Sequence, residues 1–186
     1  MDIYLIRHTR VNCEKGICYG QTDVDVAPTF DKELIEIKNK LDMEGFVFYS
    51  SPLKRCSSLA KALAGSDFIV DERLKELNFG NWEMKRWDSI DEKDLQVWID
   101  SYVDIPCPNG ECFTDVYSRS LEFYNDLLKK NHEKVAIIGH GGVIRSIIAH
   151  ILQIPLNKAI ILNFDYGSIT KISINGQMVS VEYINK

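Results

Sequence analysis

Val135-Ala136-Ile137-Ile138-Gly139-His140-Gly141-Gly142 decides the fold of this chain. Four consecutive apolar residues run straight into glycine with no polar alternation. A short unbroken apolar run is expected of a strand covered on both faces, as in a parallel sheet. The spacing predicts a helix over Val143 to Leu152, with the glycine pair as its first turn. Near the start, Ile3 to Ile6 repeats the pattern and ends in Arg7-His8. Two histidines, His8 and His140, thus leave the carboxyl ends of two expected parallel strands. Open α/β sheets bind ligands in the crevice beyond those ends, so both imidazoles can serve one pocket.

The rest of the chain extends the same plan. Leu34, Ile37 and Leu41 recur at helical spacing over residues 31–41. Phe46 to Tyr49 reads as a second buried strand, and Phe68 to Val70 as a short third. Between them Pro52 is placed at the first helical position of a helix running from Leu53 to Leu63. A further helix is expected over Ile90 to Tyr102, ended by the Pro106 to Gly110 loop, and another from Glu111 onward. Asn175-Gly176, between Ile169–Ile174 and Met178–Tyr183, signals a C-terminal hairpin with a type I′ turn. Alternating strands and helices give an α/β fold with a mostly parallel sheet. With no repeat, low-complexity tract or linker, residues 1–186 are expected to form one domain. Its residues 82–115 are a candidate lid or insertion over the pocket.

Composition narrows the function. Apolar residues make up 45% and charged residues 26%, ordinary for a soluble domain. A net charge of -5 argues against non-specific nucleic-acid binding, which needs a basic footprint. Local arginines can still attract a small anion. The five cysteines, Cys13, Cys18, Cys56, Cys107 and Cys112, show no paired or zinc-finger spacing, and reduced thiols are expected. No apolar run has the length of a signal-peptide core or a membrane span, so a cytoplasmic protein is expected.

Four clusters carry candidate chemistry. Arg7-His8 offers a nucleophile beside a forked cation suited to an oxyanion. Ser50-Ser51-Pro52-Leu53-Lys54-Arg55 opens a helix, whose free N–H groups attract anions, and adds Arg55. In Leu74 to Glu83, Glu76 lies among apolar residues, where desolvation favours a general acid, whereas Glu83 reads as a capping or surface residue. Gly139-His140-Gly141-Gly142 lets the backbone approach a ligand, but lacks both the P-loop and the dinucleotide spacing. Each has a bland alternative: a surface charge, a solvated helix arginine, a cap, a core histidine. Jointly they supply two histidines, two arginines and a sequestered carboxylate around strand ends. That inventory suits phosphoryl transfer through a phosphohistidine without a metal or other cofactor.

These motifs resemble the histidine phosphatase superfamily, with its phosphoglycerate mutase-like fold: Arg7-His8-Thr9, Ser50 to Arg55, Glu76 with Phe79-Gly80-x-Trp82-Glu83, and Gly139 to Gly142. The resemblance implies a three-layer α/β/α architecture with the hairpin at the sheet edge. It implies His8 as nucleophile, Arg7, Arg55 and His140 as clamps on the phosphoryl oxygens, and Glu76 as acid and then base. Thr9-Arg10 and Glu14 depart from the common Gly-Glu and Asn of many members. The segment Gly16 to Val24 is instead similar to the α-ribazole phosphatase branch. That makes Tyr19, Gly20, Gln21 and Thr22, with Gly141, candidate substrate-binding residues, and α-ribazole 5′-phosphate, an intermediate of cobalamin assembly, the expected substrate. Val11 and Cys112 depart from that branch where proline and serine are usual. Tyr19, Gln21, Trp82, Trp87 and Trp98 could form an aromatic wall for such a base. The alternatives are a broad sugar-phosphate or phosphoserine phosphatase, a mutase of this fold (usually longer), and a phosphate-binding regulatory protein. The expected partner is a small phosphate monoester, with neither nucleic acid nor membrane involved; a homodimer is compatible with this reading.

Overall fold

The computed structural model describes residues 1–42 and 44–186. Its sheet has six strands: β1 (Asp2–Arg7), β2 (Phe46–Ser50), β3 (Phe68–Val70), β4 (Lys134–Gly139), β5 (Ile169–Asn175) and β6 (Met178–Tyr183). Their order is β3-β2-β4-β1-β5-β6. The first four in that order are mutually parallel, while β5 runs antiparallel to β1 and to β6. The sheet is therefore mostly parallel, with the hairpin at one edge.

The apolar runs behave as buried strands must, because alternate side chains serve different layers. Val135 and Ile137 of β4 join Ile3 and Leu5 of β1 in one core. That core packs against α4 (Phe113–Leu128) and α5 (Gly141–Ile151). Ala136 and Ile138 join Ile6 in the other core, under α1 (Phe30–Lys38) and α2 (Lys54–Ala64). Three layers result. Burying a side chain the size of Ile138 contributes about 1.5–3 kcal/mol, so a polar residue at either parity would be costly.

Local chemistry moves several expected boundaries. Pro52 does not begin α2: Leu53 remains extended at ψ 136° and caps the helix. Its N–H is taken by the Ser51 hydroxyl at 3.3 Å, which holds the turn outside the helix. α3 spans Glu92–Ser101, because the Asp91 side chain accepts the N–H groups of Lys93 and Asp94. α4 waits until Phe113, since the Asp115 carboxylate reaches back to the Cys112 N–H at 2.9 Å. The hairpin turn also differs. Asn175 pairs with Met178, so Gly176 and Gln177 form the loop, and of these only Gly176 has positive φ, +61°. That is the type II′ sign pattern, which needs glycine at the first central position alone. Among the described residues, no helix is long and apolar enough to cross a membrane.

Candidate active site

Sheet register brings the two histidines together. Arg7 pairs with Gly139 across β1 and β4, and the His8 N–H donates to the Gly139 carbonyl at 3.0 Å. The next residue of one strand, His8, and of the other, His140, therefore leave the sheet side by side. From there β1 feeds α1 on one face, while β4 feeds α5 on the other. That divergence opens the crevice. The two rings meet edge to face with centroids 5.1 Å apart, and both residues are buried.

Each ring is fixed by its partners. His8 Nδ1 lies 2.7 Å from the Thr9 carbonyl. A carbonyl can only accept, so Nδ1 carries the proton and Nε2 is left bare. The Gly139 carbonyl receives the His8 main-chain N–H instead of the ring. Burial first, then the charges of Arg55 and Arg7, hold the His8 pKa well below the ordinary value, against a weaker opposing pull from the Thr9 bond. His8 is thus neutral near pH 7. His140 Nδ1 accepts from Arg55 Nε at 3.3 Å, and Nε2 donates to the Ser51 hydroxyl at 2.8 Å. Its pKa is also held well below the usual range, chiefly by burial and then by Arg55 and His8.

Arg55 is wholly buried. Its Nη1 donates to the Thr22 carbonyl at 3.1 Å and its Nη2 to the Gly20 carbonyl. Arg7 donates from Nη1 to the Phe164 carbonyl and stacks 4.0 Å from the Tyr166 ring centre. Its Nε is buried without a hydrogen-bond partner among the described residues. Glu76 receives the Gly142 N–H on both oxygens at 3.2 Å, and the Leu77 N–H at 3.0 Å. Its own main chain is tied by Arg119, which donates to the Glu76 carbonyl at 2.9 Å and pairs with Glu111.

Most of these groups border one cavity of about 270 Å³, but His140 and Gly141 are not among its lining residues; His140 lies behind it, in contact with Arg55. Arg7, His8, Arg55, Glu76 and Arg145 supply its charged and titratable groups, and Tyr19, Phe79, Trp87, Trp98, Tyr102 and Phe113 its aromatic wall. Residues 82–115 thus contribute Trp87, Trp98, Tyr102 and Phe113 to that wall. Trp82 is buried and packs on Trp98, with ring centres 5.7 Å apart.

The Gly16 to Val24 segment is placed unexpectedly. Tyr19 borders the cavity, but Gly20, Gln21 and Thr22 are not among its lining residues. Their N–H groups donate to the Glu83 carboxylate at 2.8–3.0 Å, and the carbonyls of Gly20 and Thr22 hold Arg55. Burial pushes the Glu83 pKa up, but these bonds outweigh it and leave the group below the ordinary carboxylate value. Glu83 is therefore the anchor of the Arg55 loop rather than a surface residue. Gly141 sits against Arg7, where an added Cβ would lie 3.8 Å from Nε. Arg145 escaped the sequence reading, although its position one helical turn after Gly141 could have flagged it.

The chain also matches known proteins. A family model described as the histidine phosphatase superfamily (branch 1) matches residues 3–186. A Hydrogenobacter thermophilus protein described as "Putative phosphoserine phosphatase 2" is 30% identical over 192 residues, covering 99% of this chain and 95% of its own. A Shigella boydii protein described as "Probable phosphoglycerate mutase GpmB" is 28% identical over 185 residues, covering 92% and 84%. The crystal structure of α-ribazole phosphatase from Shigella flexneri superposes with a TM-score of 0.91 at 22% identity, covering 100% and 96%. At that identity the likeness establishes the fold alone.

Proposed function

The chain belongs to branch 1 of the histidine phosphatase superfamily, and from that premise we propose that it hydrolyses small phosphate monoesters through a phosphohistidine at His8. One observation carries the reading. His8 presents a bare Nε2, with its proton fixed on Nδ1, at a cavity it shares with three arginines and a carboxylate. Phosphoryl transfer needs little beyond a positioned nucleophile and charge stabilisation.

In the first step His8 Nε2 forms a bond to phosphorus as the ester P–O bond breaks. Glu76, in its protonated form, gives its proton to the departing alkoxide. Water then attacks the phosphohistidine, Glu76 takes the water proton, and the N–P bond breaks to release inorganic phosphate and neutral His8. Arg7 and Arg55 offset the charge on the equatorial oxygens, and the orphan Arg7 Nε gains an acceptor. His140 joins them once the anion is present: a dianion nearby favours imidazolium, so that Nδ1, which accepts from Arg55 Nε in the free protein, is protonated and donates instead. No metal enters these steps.

For the leaving group, α-ribazole 5′-phosphate is supported by the Gly16 to Val24 resemblance and by the aromatic wall. A phosphoserine-type substrate is supported by the description of the Hydrogenobacter relative and by the extra cation in the cavity. The test is to quench turnover of a labelled phosphate ester and seek acid-labile, base-stable label. We expect label in the wild type, none in His8→Ala, and undiminished activity with a chelator present. Activity without label, or activity abolished by the chelator, would refute the mechanism.

A further inference from the structure

The mechanism leaves one charged residue of the cavity without a task. Arg145 stands on α5, one turn beyond Gly141, and borders the same space as His8 and Glu76. Its Nε and Nη2 both donate to the Leu162 carbonyl, at 3.2 and 3.1 Å. That contact occupies one edge of the guanidinium and fixes its plane. The other edge, Nη1 with the second Nη2 proton, has no hydrogen-bond partner and no ion pair among the described residues. Burial is the main influence on its pKa and lowers it, with Glu76 opposing and Arg7 adding to the effect. Arg145 is partly buried, its free edge is open to an incoming anion, and a planar fork held in place suits a carboxylate.

Charge balance points the same way. Three guanidinium groups and one carboxylate line the cavity. The mechanism assigns the phosphoryl oxygens to Arg7 and Arg55, which leaves Arg145 without an anionic partner.

We infer that Arg145 is the specificity-determining receptor for a carboxylate on the leaving alcohol, so that the substrates are carboxylate-bearing phosphate monoesters. This inference rests on the phosphatase reading above and deepens it. The aromatic wall then encloses the short carbon body between the two anionic ends and excludes water from both.

The test uses the full chain and two matched ester pairs that differ in a carboxylate: O-phosphoserine with O-phosphoethanolamine, and 3-phosphoglycerate with glycerol 1-phosphate. α-Ribazole 5′-phosphate and p-nitrophenyl phosphate complete the panel. A charged hydrogen-bonded contact at such a site is worth about 10- to 100-fold. The wild type is expected to favour the carboxylate member of each pair by that factor in kcat/KM, mostly through KM. Arg145→Gln should bring the ratio towards one, and Arg145→Lys should restore part of it as a point charge. Folding is checked by circular dichroism, and the within-pair ratio is independent of the fraction of enzyme that is active. Four results would overturn the inference: equal rates on both members in the wild type, a preference that survives Arg145→Gln, an equal fall of kcat on both members, or α-ribazole 5′-phosphate as best substrate with a rate indifferent to position 145. Failure of the wild type to hydrolyse even p-nitrophenyl phosphate would instead remove the phosphatase reading, and this inference with it.

Discussion

Gly142→Ala separates stability from catalysis in opposite directions. A Cβ at position 142 would lie 2.2 Å from Glu76 Oε1 and 3.3 Å from its carboxyl carbon. Ordinary contact begins at 3.4 Å, so the oxygen must retreat by about 1.2 Å, the difference of the two distances. Glu76 also loses its fit to the Gly142 N–H, which now holds both oxygens. A displacement near 1 Å of a reacting group costs on the order of 10²-fold in rate. The backbone at 142 has no positive φ, so alanine fits the helix and should add about 0.5–1 kcal/mol of stability through lower chain entropy. The assay is kcat/KM for an alkyl phosphate, whose leaving group needs the acid, beside p-nitrophenyl phosphate, whose leaving group hardly does. We expect a loss near 100-fold on the first, a much smaller loss on the second, and an unchanged or raised melting temperature. Equal losses on both, or full alkyl phosphatase activity, would refute the role given to Glu76 and its seat on Gly142.

Three further perturbations test the surrounding framework. Glu83→Gln leaves one carboxamide oxygen where two carboxylate oxygens now receive the Gly20, Gln21, Thr22 and Phe79 N–H groups. At about 1 kcal/mol for each of two orphaned donors in this half-exposed site, the melting temperature should fall by about 4–8 °C, with kcat reduced through the loosened Arg55; an unchanged thermal transition would count against Glu83 as anchor. Acid should destabilise the fold through His8 and His140, whose folded pKa values are depressed: the unfolded chain binds protons that the native state refuses, so stability is full above about pH 6.5 and declines as pH falls below it, by up to about 1.4 kcal/mol per pH unit for each histidine. Urea midpoints between pH 7 and 5 should show that slope, and His8→Gln should lessen it; a flat wild-type profile would contradict the neutral pair. Orthovanadate or phosphate should raise the His140 pKa and shift its ring resonances in NMR, while unaltered resonances at saturating anion would speak against a direct role for that ring.

The gathering of the candidate residues was legible in the sequence because their scaffold obeys simple rules. Ile3 to Ile6 and Val135 to Ile138 have no polar alternation, so only a sheet covered on both faces accommodates them, and strand ends in such sheets converge. His8, Arg7, Arg55 and Glu76 border the cavity for that reason, and His140 stands behind Arg55. What held them was not legible. The Thr9, Gly20, Thr22 and Phe164 carbonyls fix one histidine and two arginines, and a carbonyl belongs to every residue type, so it leaves no trace in the letters. The Gly20 to Thr22 segment therefore reads as substrate-binding by resemblance, although its main chain is what engages Arg55. The tryptophans show a second limit. Trp82, Trp87 and Trp98 look alike in sequence, yet only the latter two face the cavity, because Trp82 is turned into the core.

The pairing of Arg7 with Gly139 has a consequence for how this protein can diversify. Two neighbouring strands and the first residue beyond each already make up the proposed nucleophilic centre, whose spacing is set by a row of amide contacts. The aromatic enclosure hangs from intervening segments that take no part in that spacing. Lengthening, trimming or replacing residues 87–105, which spares the Glu83 anchor and the Glu111 pair, should therefore exchange one clientele of esters for another while the proposed bond-breaking apparatus stays put, which makes this stretch the natural target for directed evolution of new selectivity.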